Sequence, residues 1–339
     1  MKTYNANQLL DKVNAFMKQM PYARPPKGLY EPIAYELSLG GKRVRPVLML
    51  MAYNLYKEDV DTILSQAVGL ETYHNHTLLH DDVMDQADMR RGKPTVHNVW
   101  NENTAILSGD AMLILAYRLM ADCDKEKLAD VLHTFTETTM EICEGQQWDM
   151  EFETRMDVKV EEYIEMIRLK TSVLLANALQ IGAYIAGAND KEQEALYQFG
   201  IHVGLAFQIQ DDILDVWGDP KTFGKAVGGD IACNKKTFVY LEAMRRVGDE
   251  AKGERLEAKG ERREAREELE DWYGQVLDDN KEKIARVKEI FEQLGVKEAC
   301  EQVVRDYTQK ALDILETLPQ NAATEELRQL AEKLLVRSV

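Results

Sequence analysis

The chain is poor in the features that would make it a secreted, membrane-spanning or nucleic-acid-binding protein. Its four cysteines, Cys123, Cys143, Cys233 and Cys300, stand far apart with no C-x-x-C pair. That spacing suggests neither a zinc ribbon nor a disulfide framework, and reads as buried free thiols. No window approaches the run of about 20 apolar residues that a bilayer-spanning helix needs. The opening MKTYNANQLLDKVNAF mixes polar and apolar residues and lacks the continuous apolar stretch of a signal peptide, so a cytoplasmic location is expected. Basic charge is also scarce: 42 Lys and Arg against 59 Asp and Glu give a formal charge of −17, which excludes a general nucleic-acid binder. A local basic cluster or a bound metal could still capture a small phosphorylated ligand.

Glycine and proline are few, at 20 and 8 in 339 residues, and alternating β-branched runs bounded by hairpin dipeptides are missing. Apolar residues instead recur at helical spacing, as in AILSGDAMLILAYRLM at 105–120 and ALYQFGIHVGLAFQIQDDILDVW at 195–217. Several such stretches are apolar on more than one face, so an all-α bundle with one large core, in a single domain, is expected. The exception is EAKGERLEAKGERREAREELE at 250–270. This near-repeat is too charged and too poor in apolar positions for a coiled-coil seam, and reads as a solvated helical insertion without a catalytic part.

Two acidic clusters carry the chemistry. Asp81, Asp82 and Asp85 form DDVMD, and Asp211, Asp212 and Asp215 form DDILD 130 residues later. On a helix, positions i and i+4 share a face, so Asp81 with Asp85, and Asp211 with Asp215, can each grip one cation. Three carboxylates within five residues repel one another unless a hard divalent ion neutralises them. One such cluster could be a solvated acidic face; two near-copies, each ending an apolar helix, mark a metal site. Oxygen ligands favour Mg²⁺, with Mn²⁺ also compatible, and Mg²⁺ completes its shell with water and phosphate oxygens. A polyphosphate ligand follows.

Basic residues complete the pattern. GGKRVRP at 40–46 offers Lys42, Arg43 and Arg45 as an anion site, with Pro46 at the start of the next helix. MRRGKPTVH at 89–97 puts Arg90 and Arg91 just behind the first cluster, and FGKAVGGDIACNKKT at 223–237 puts Lys225 and Lys235 behind the second. Lys170 lies in RLKTS at 168–172, and His74 sits two helical turns before Asp81 on the same face.

Together these residues resemble the trans-isoprenyl diphosphate synthases, the polyprenyl synthetase family, over about residues 30–245. The resemblance implies a large all-α single-domain bundle around a deep central cavity, paired as a homodimer. It implies that Asp81 and Asp85 bind one Mg²⁺ and Asp211 another, with three ions in all, and that Asp82, Asp212 and Asp215 support them. Lys42, Arg45, His74 and Arg91 would hold isopentenyl diphosphate without metal, and Arg90, Lys170, Lys225 and Lys235 the allylic diphosphate. Thr171 and Gln208 would steady the forming cation, with Phe207 facing the hydrocarbon. His76 and Thr77, before the first cluster, would floor the product channel, with Tyr73 as a second floor, which points to farnesyl or geranylgeranyl diphosphate. A longer-chain synthase and a non-catalytic subunit are the alternatives. A terpene cyclase would lack GGKRVRP and the second cluster, and a non-catalytic partner would tend to lose aspartates that this chain keeps.

Overall fold

The computed structural model describes residues 2–219, 227–248 and 256–335. Among them the chain is helical almost throughout, as the periodicity predicts. It divides into two compact units: Met1–Thr138 with Leu175–Tyr197 and Glu316–Gln329, and Thr139–Leu174 with Gln198–Leu315 and Leu330–Val339.

The first unit opens with α1 (Ala6–Lys18), whose start is fixed by a reciprocal capping box between Asn5 and Gln8. There follow α2 (Lys27–Ser38), α3 (Val44–Asn54), α4 (Leu64–Met84), α5 (Val96–Val99) and α6 (Glu102–Met120). Helix α4 is central. Leu64 to Tyr73 are all buried, including Glu71 and Thr72, so no single apolar stripe exists to be read from its sequence. Two of its polar members bond back into the helix, Thr72 Oγ1 to the Val68 carbonyl at 2.8 Å and Asn75 Nδ2 to that of Glu71 at 2.7 Å, while Ser65 and Gln66 donate to the Leu119 and Asp122 carbonyls. Helix α6 packs along α4 at two glycines. A Cβ on Gly69 would sit 3.0 Å from the Leu119 Cβ, and one on Gly109 2.2 Å from the His80 imidazole.

Helix α3 begins at Val44, two residues before Pro46, which therefore occupies the third helical position. A proline is tolerated there because the amide it lacks has no partner in the first turn. The structure also contains the strand pair β1 (Met89–Arg90) and β2 (Lys93–Pro94), which periodicity cannot signal at two residues each. Its two-residue turn, Arg91 and Gly92, has positive φ at both positions (53° and 74°), the geometry of a tight hairpin.

The second unit is built from parts of α7 (Leu128–Thr154), α9 (Val173–Ala186) and α10 (Asp190–Trp217), together with α8 (Val160–Ile167), α11 (Gly229–Ala232), α12 (Phe238–Gly248), α13 (Leu256–Tyr273), α14 (Lys281–Gln293) and α15 (Val296–Leu315); α16 (Ala322–Leu335) follows. Residues Arg168–Ser172, between α8 and α9, form a π-helical turn. Helix α13 carries the second half of the charged repeat; residues 249–255 lie outside the described residues. Arg263 and Arg266 pair with Glu267 and Glu270 one turn on, each at 2.9 Å and facing solvent, where such pairs contribute a few tenths of a kcal/mol. Its other end is docked: Leu269 is fully buried, and Tyr273 stacks on Tyr240 at 4.0 Å.

Candidate active site

In both clusters the carboxylates sit where a helix least tolerates them. Asp81, Asp82 and Asp85 occupy the last turn and C-cap of α4, which has no basic residue in that turn, and Asp211, Asp212 and Asp215 lie in the last two turns of α10. The negative end of the helix dipole opposes anions there, so each cluster is electrostatically unfavourable until a cation binds. The donor sets suit Mg²⁺: all oxygen, with the Asp81 carboxylate 24% exposed and Asp85 exposed. Among the described residues no three carboxylate, imidazole or thiolate groups converge on one point. A metal held here needs ligands beyond the protein, as Mg²⁺ on a phosphorylated substrate does.

Around the first cluster the basic residues divide into two kinds. Asp82 is buried and accepts a bidentate pair from Arg90, Nε at 2.9 Å and a terminal nitrogen at 2.5 Å, while Arg90 also lies 3.6 Å from Asp81. Asp82 thus orients an arginine beside Asp81. Arg91 donates to the Gly40 carbonyl, which ties the hairpin to the GGKR loop. Arg45 contacts the His74 Nε2 at 3.1 Å. Burial and the flanking arginines Arg45, Arg91, Arg43 and Arg90 hold the His74 pKa well below its ordinary value, so the ring is neutral and accepts that hydrogen bond. Lys42 is exposed on the same loop.

Arg43 departs from the reading of the loop as three anion donors. It adopts φ 48°, which turns its side chain inward, where it pairs with Glu71 at 2.6 Å and donates to the Leu37 carbonyl at 2.5 Å. Both partners of this ion pair are almost completely buried. Arg43 is therefore a structural residue that fixes the loop between Lys42 and Arg45, not an anion ligand.

Below the cluster, His76 Nδ1 meets the Gly109 carbonyl at 2.9 Å. Burial, with His80 adding, lowers its pKa to about 4, so the ring is neutral and donates to that carbonyl. Tyr73 packs edge-on against Phe135, with ring centroids 5.4 Å apart, and Phe135 in turn against Tyr117 at 5.0 Å. Thr77 Oγ1 is turned back onto the His74 carbonyl. The aromatic stack continues beneath His76 and leaves Thr77 a self-satisfied helix residue.

Around the second cluster, Asp149, Lys170, Thr171, Gln208, Asp212 and Lys235 line a cavity of about 140 Å³. Lys170 Nζ donates to Asp149 at 2.5 Å, and Thr171 Oγ1 to Gln208 at 3.2 Å. Asp212 is buried and accepts from the Tyr163 hydroxyl at 2.6 Å, Gln208 Nε2 at 3.1 Å and the Phe238 amide at 3.2 Å. Burial and nearby Asp230 push its pKa up to about 8 against those three donors. Asp215 accepts from the Asp230 amide at 3.0 Å. These bonds make Asp212 and Asp215 anchors of the segments around Asp211. Phe207 is half-buried one turn before Asp211, and Lys225 lies outside the described residues.

Lys170 and Thr171 stand on the π turn, a local distortion frequent at functional sites. Two glycines let neighbouring helices close on it: a Cβ at Gly145 would lie 2.5 Å from the Lys170 nitrogen, and one at Gly204 2.6 Å from Ser172. Sequence reasoning missed Asp149, Tyr163 and Lys236. Asp149 and Lys236 line the cavity, and Lys236 Nζ donates to the Glu153 carbonyl at 2.6 Å. The run EGQQWD at 144–149, with a glycine and little apolar content inside a long helix, was the available signal for Asp149. Tyr163 had none.

It also missed Glu36. In α2, fully buried, neither of its carboxylate oxygens has a hydrogen-bond partner. Burial, with Asp82 adding and Arg90, Arg91 and Arg43 opposing, raises its pKa from 4.5 to about 7. A carboxyl whose folded pKa is raised binds its proton more tightly in the folded state. The folded protein is therefore penalised as pH rises from 4.5 to about 7, and fully above that. The shift corresponds to about 3 kcal/mol at alkaline pH. Glu36→Gln is expected to stabilise the protein at pH 8.5 by about 2 kcal/mol more than at pH 5.5, read from denaturant unfolding at the two pH values. An equal effect at both would mean that Glu36 does not ionise within the fold.

Comparison with known proteins adds a family. Residues 26–276 match the family model described as polyprenyl synthetase. The chain is 41% identical over 264 residues to a short chain isoprenyl diphosphate synthase of Methanocaldococcus jannaschii, covering 78% of this chain and 80% of that protein. It is 35% identical to a geranylfarnesyl diphosphate synthase of Natronomonas pharaonis, covering 96% and 94%. Its fold superposes on a crystal structure of geranylgeranyl pyrophosphate synthase with a TM-score of 0.90 at 44% identity, over 100% of both chains.

Proposed function

Since the chain belongs to the polyprenyl synthetase family, we propose that it condenses isopentenyl diphosphate with an allylic diphosphate and stops at a product of fifteen or twenty carbons. It is a trans-isoprenyl diphosphate synthase of the short-chain type. The observation that best supports the finer reading is the aromatic stack under His76, which would close a path along α4 two turns below Asp81.

In this reading Asp81 and Asp85 would hold Mg²⁺ from α4, and Asp211 from α10. Three bound ions would supply the charge that stabilises the departing diphosphate. The chain's own residues do the rest. Lys170, Lys235 and Arg90 bind the allylic diphosphate and share the charge that develops as its C–O bond breaks. Lys42, Arg45, neutral His74 and Arg91 hold isopentenyl diphosphate, so that its double bond meets the allylic carbon within one encounter complex. The Thr171 hydroxyl and Gln208 carboxamide present oxygen dipoles to the cation. Apolar walls exclude water, which would otherwise quench it. The proton lost last goes to the released diphosphate.

The same reading makes the enzyme a cytoplasmic homodimer of single-domain chains. Helix α6 supports the pairing: Ile106, Leu107 and Ile114 are exposed by 45%, 60% and 69% around the exposed Asp110, apolar side chains that a second copy would cover. The four cysteines are free, which suits a reducing compartment, although Cys143 and Cys233 are exposed where the sequence suggests buried thiols.

Chromatography of dephosphorylated products tests the length assignment. The wild-type enzyme should yield fifteen- or twenty-carbon alcohols, and His76→Ala should shift the distribution to longer ones by opening the way to Tyr73. An unchanged distribution would remove His76 as the floor.

A further inference from the structure

Glu36 has no place in the mechanism so far, yet it adjoins Leu37, whose carbonyl Arg43 of the GGKR loop holds at 2.5 Å. Its carboxylate is sealed from water and unpartnered, and it interacts electrostatically with Asp82, Arg90, Arg91 and Arg43. Two of those arginines are already taken: Arg90 by Asp82, and Arg43 by Glu71 and the Leu37 carbonyl. Arg91, which donates to the Gly40 carbonyl, feels Glu36 and Glu71 as its opposing charges. A buried group left unsatisfied asks for an explanation beyond packing.

We propose that Glu36 is a built-in counter-charge that weakens the metal-free diphosphate site of Lys42, Arg45, His74 and Arg91. The idea rests on the function proposed above and adds a residue that sets how tightly that site holds its ligand. The physical basis is simple. No metal neutralises a diphosphate at this site, so the net positive field of the arginines alone sets its affinity, and the Glu36 carboxylate, once ionised above about pH 7, subtracts from that field. Binding that is equally tight in ground and transition states lowers KM without raising kcat. A counter-charge therefore keeps the site from trapping its ligand between turnovers, as chain extension requires. Glu36 touches no reacting atom; it is a positioning residue acting through the arginines.

The test is calorimetric titration of isopentenyl diphosphate at about pH 8.5, where Glu36 is ionised, in EDTA, which leaves only the metal-free mode of binding. Glu36→Gln and Glu36→Met remove the charge, the first with the polarity kept; Glu36→Asp keeps it. Both charge-free variants should bind roughly tenfold tighter than wild type. KM for isopentenyl diphosphate should fall with the Kd while kcat does not rise, and Glu36→Asp should stay near wild type. Unchanged or weaker binding in the charge-free variants overturns the proposal. So does failure of both to fold, because a penalised buried charge predicts that neutralising it stabilises the protein. A wild-type enzyme that binds isopentenyl diphosphate but extends no allylic starter would count against the function proposed above and not against Glu36.

Discussion

Replacing Asp81 or Asp211 by alanine should lower turnover by about three orders of magnitude while leaving the helices intact. Removing one preorganised group that stabilises a developing negative charge commonly costs a factor of roughly 10²–10³, and loss of a metal ligand removes more than one such contact. The fold should tolerate both changes. Each carboxylate lies at the negative end of its helix, where its removal relieves repulsion from the dipole and from neighbouring aspartates. If the clusters act on one diphosphate, the effects should not add: the double variant should be little worse than the worse single one. Steady-state kinetics with circular dichroism checks all three points. Near-normal turnover in either single variant would remove the metal argument.

Arg43→Met should destabilise the protein by about 3–5 kcal/mol, the usual effect of deleting one partner of a buried ion pair. Among the described residues Glu71 would be left sealed with the Asn75 amide, 2.9 Å from its Oε1, as its remaining side-chain donor. Lys42→Ala, one residue away but exposed, should leave stability nearly unchanged and raise KM for isopentenyl diphosphate. Denaturant melts of the two variants separate these roles. Equal stability losses would mean that the GGKR loop is not divided between structure and binding.

The contrast within that loop shows what could be read from the sequence and what could not. The aspartate clusters were legible because three carboxylates in five residues have few inexpensive structural explanations, and because they occur twice. The long helices were legible from their period. The roles of Arg43 and Lys42 were not, because which of two adjacent basic residues turns inward is decided by one backbone angle, the φ of 48° at Arg43. Nor was the hairpin at 89–94, where two residues per strand give no alternation to detect. Glu36 and Tyr163 were invisible for a related reason: they share the one buried face of their helices with Pro32, Ile33 and Leu37, and with Met166 and Ile167, and a period marks that face without saying what a polar member of it meets. Asp212 and Asp215 appeared as metal-cluster members, and the structure adds the hydrogen bonds, from Tyr163, Gln208 and the amides of Phe238 and Asp230, that fix them.

The central claim is a metal-dependent condensation of two diphosphates. It is tested most directly by incubating the purified protein with labelled isopentenyl diphosphate and dimethylallyl, geranyl or farnesyl diphosphate, with Mg²⁺ or with EDTA, and separating the dephosphorylated products. The account predicts labelled prenyl alcohols longer than the starter, abolished by EDTA and restored by excess Mg²⁺. No elongated alcohol from any starter, or elongation indifferent to EDTA, would contradict it.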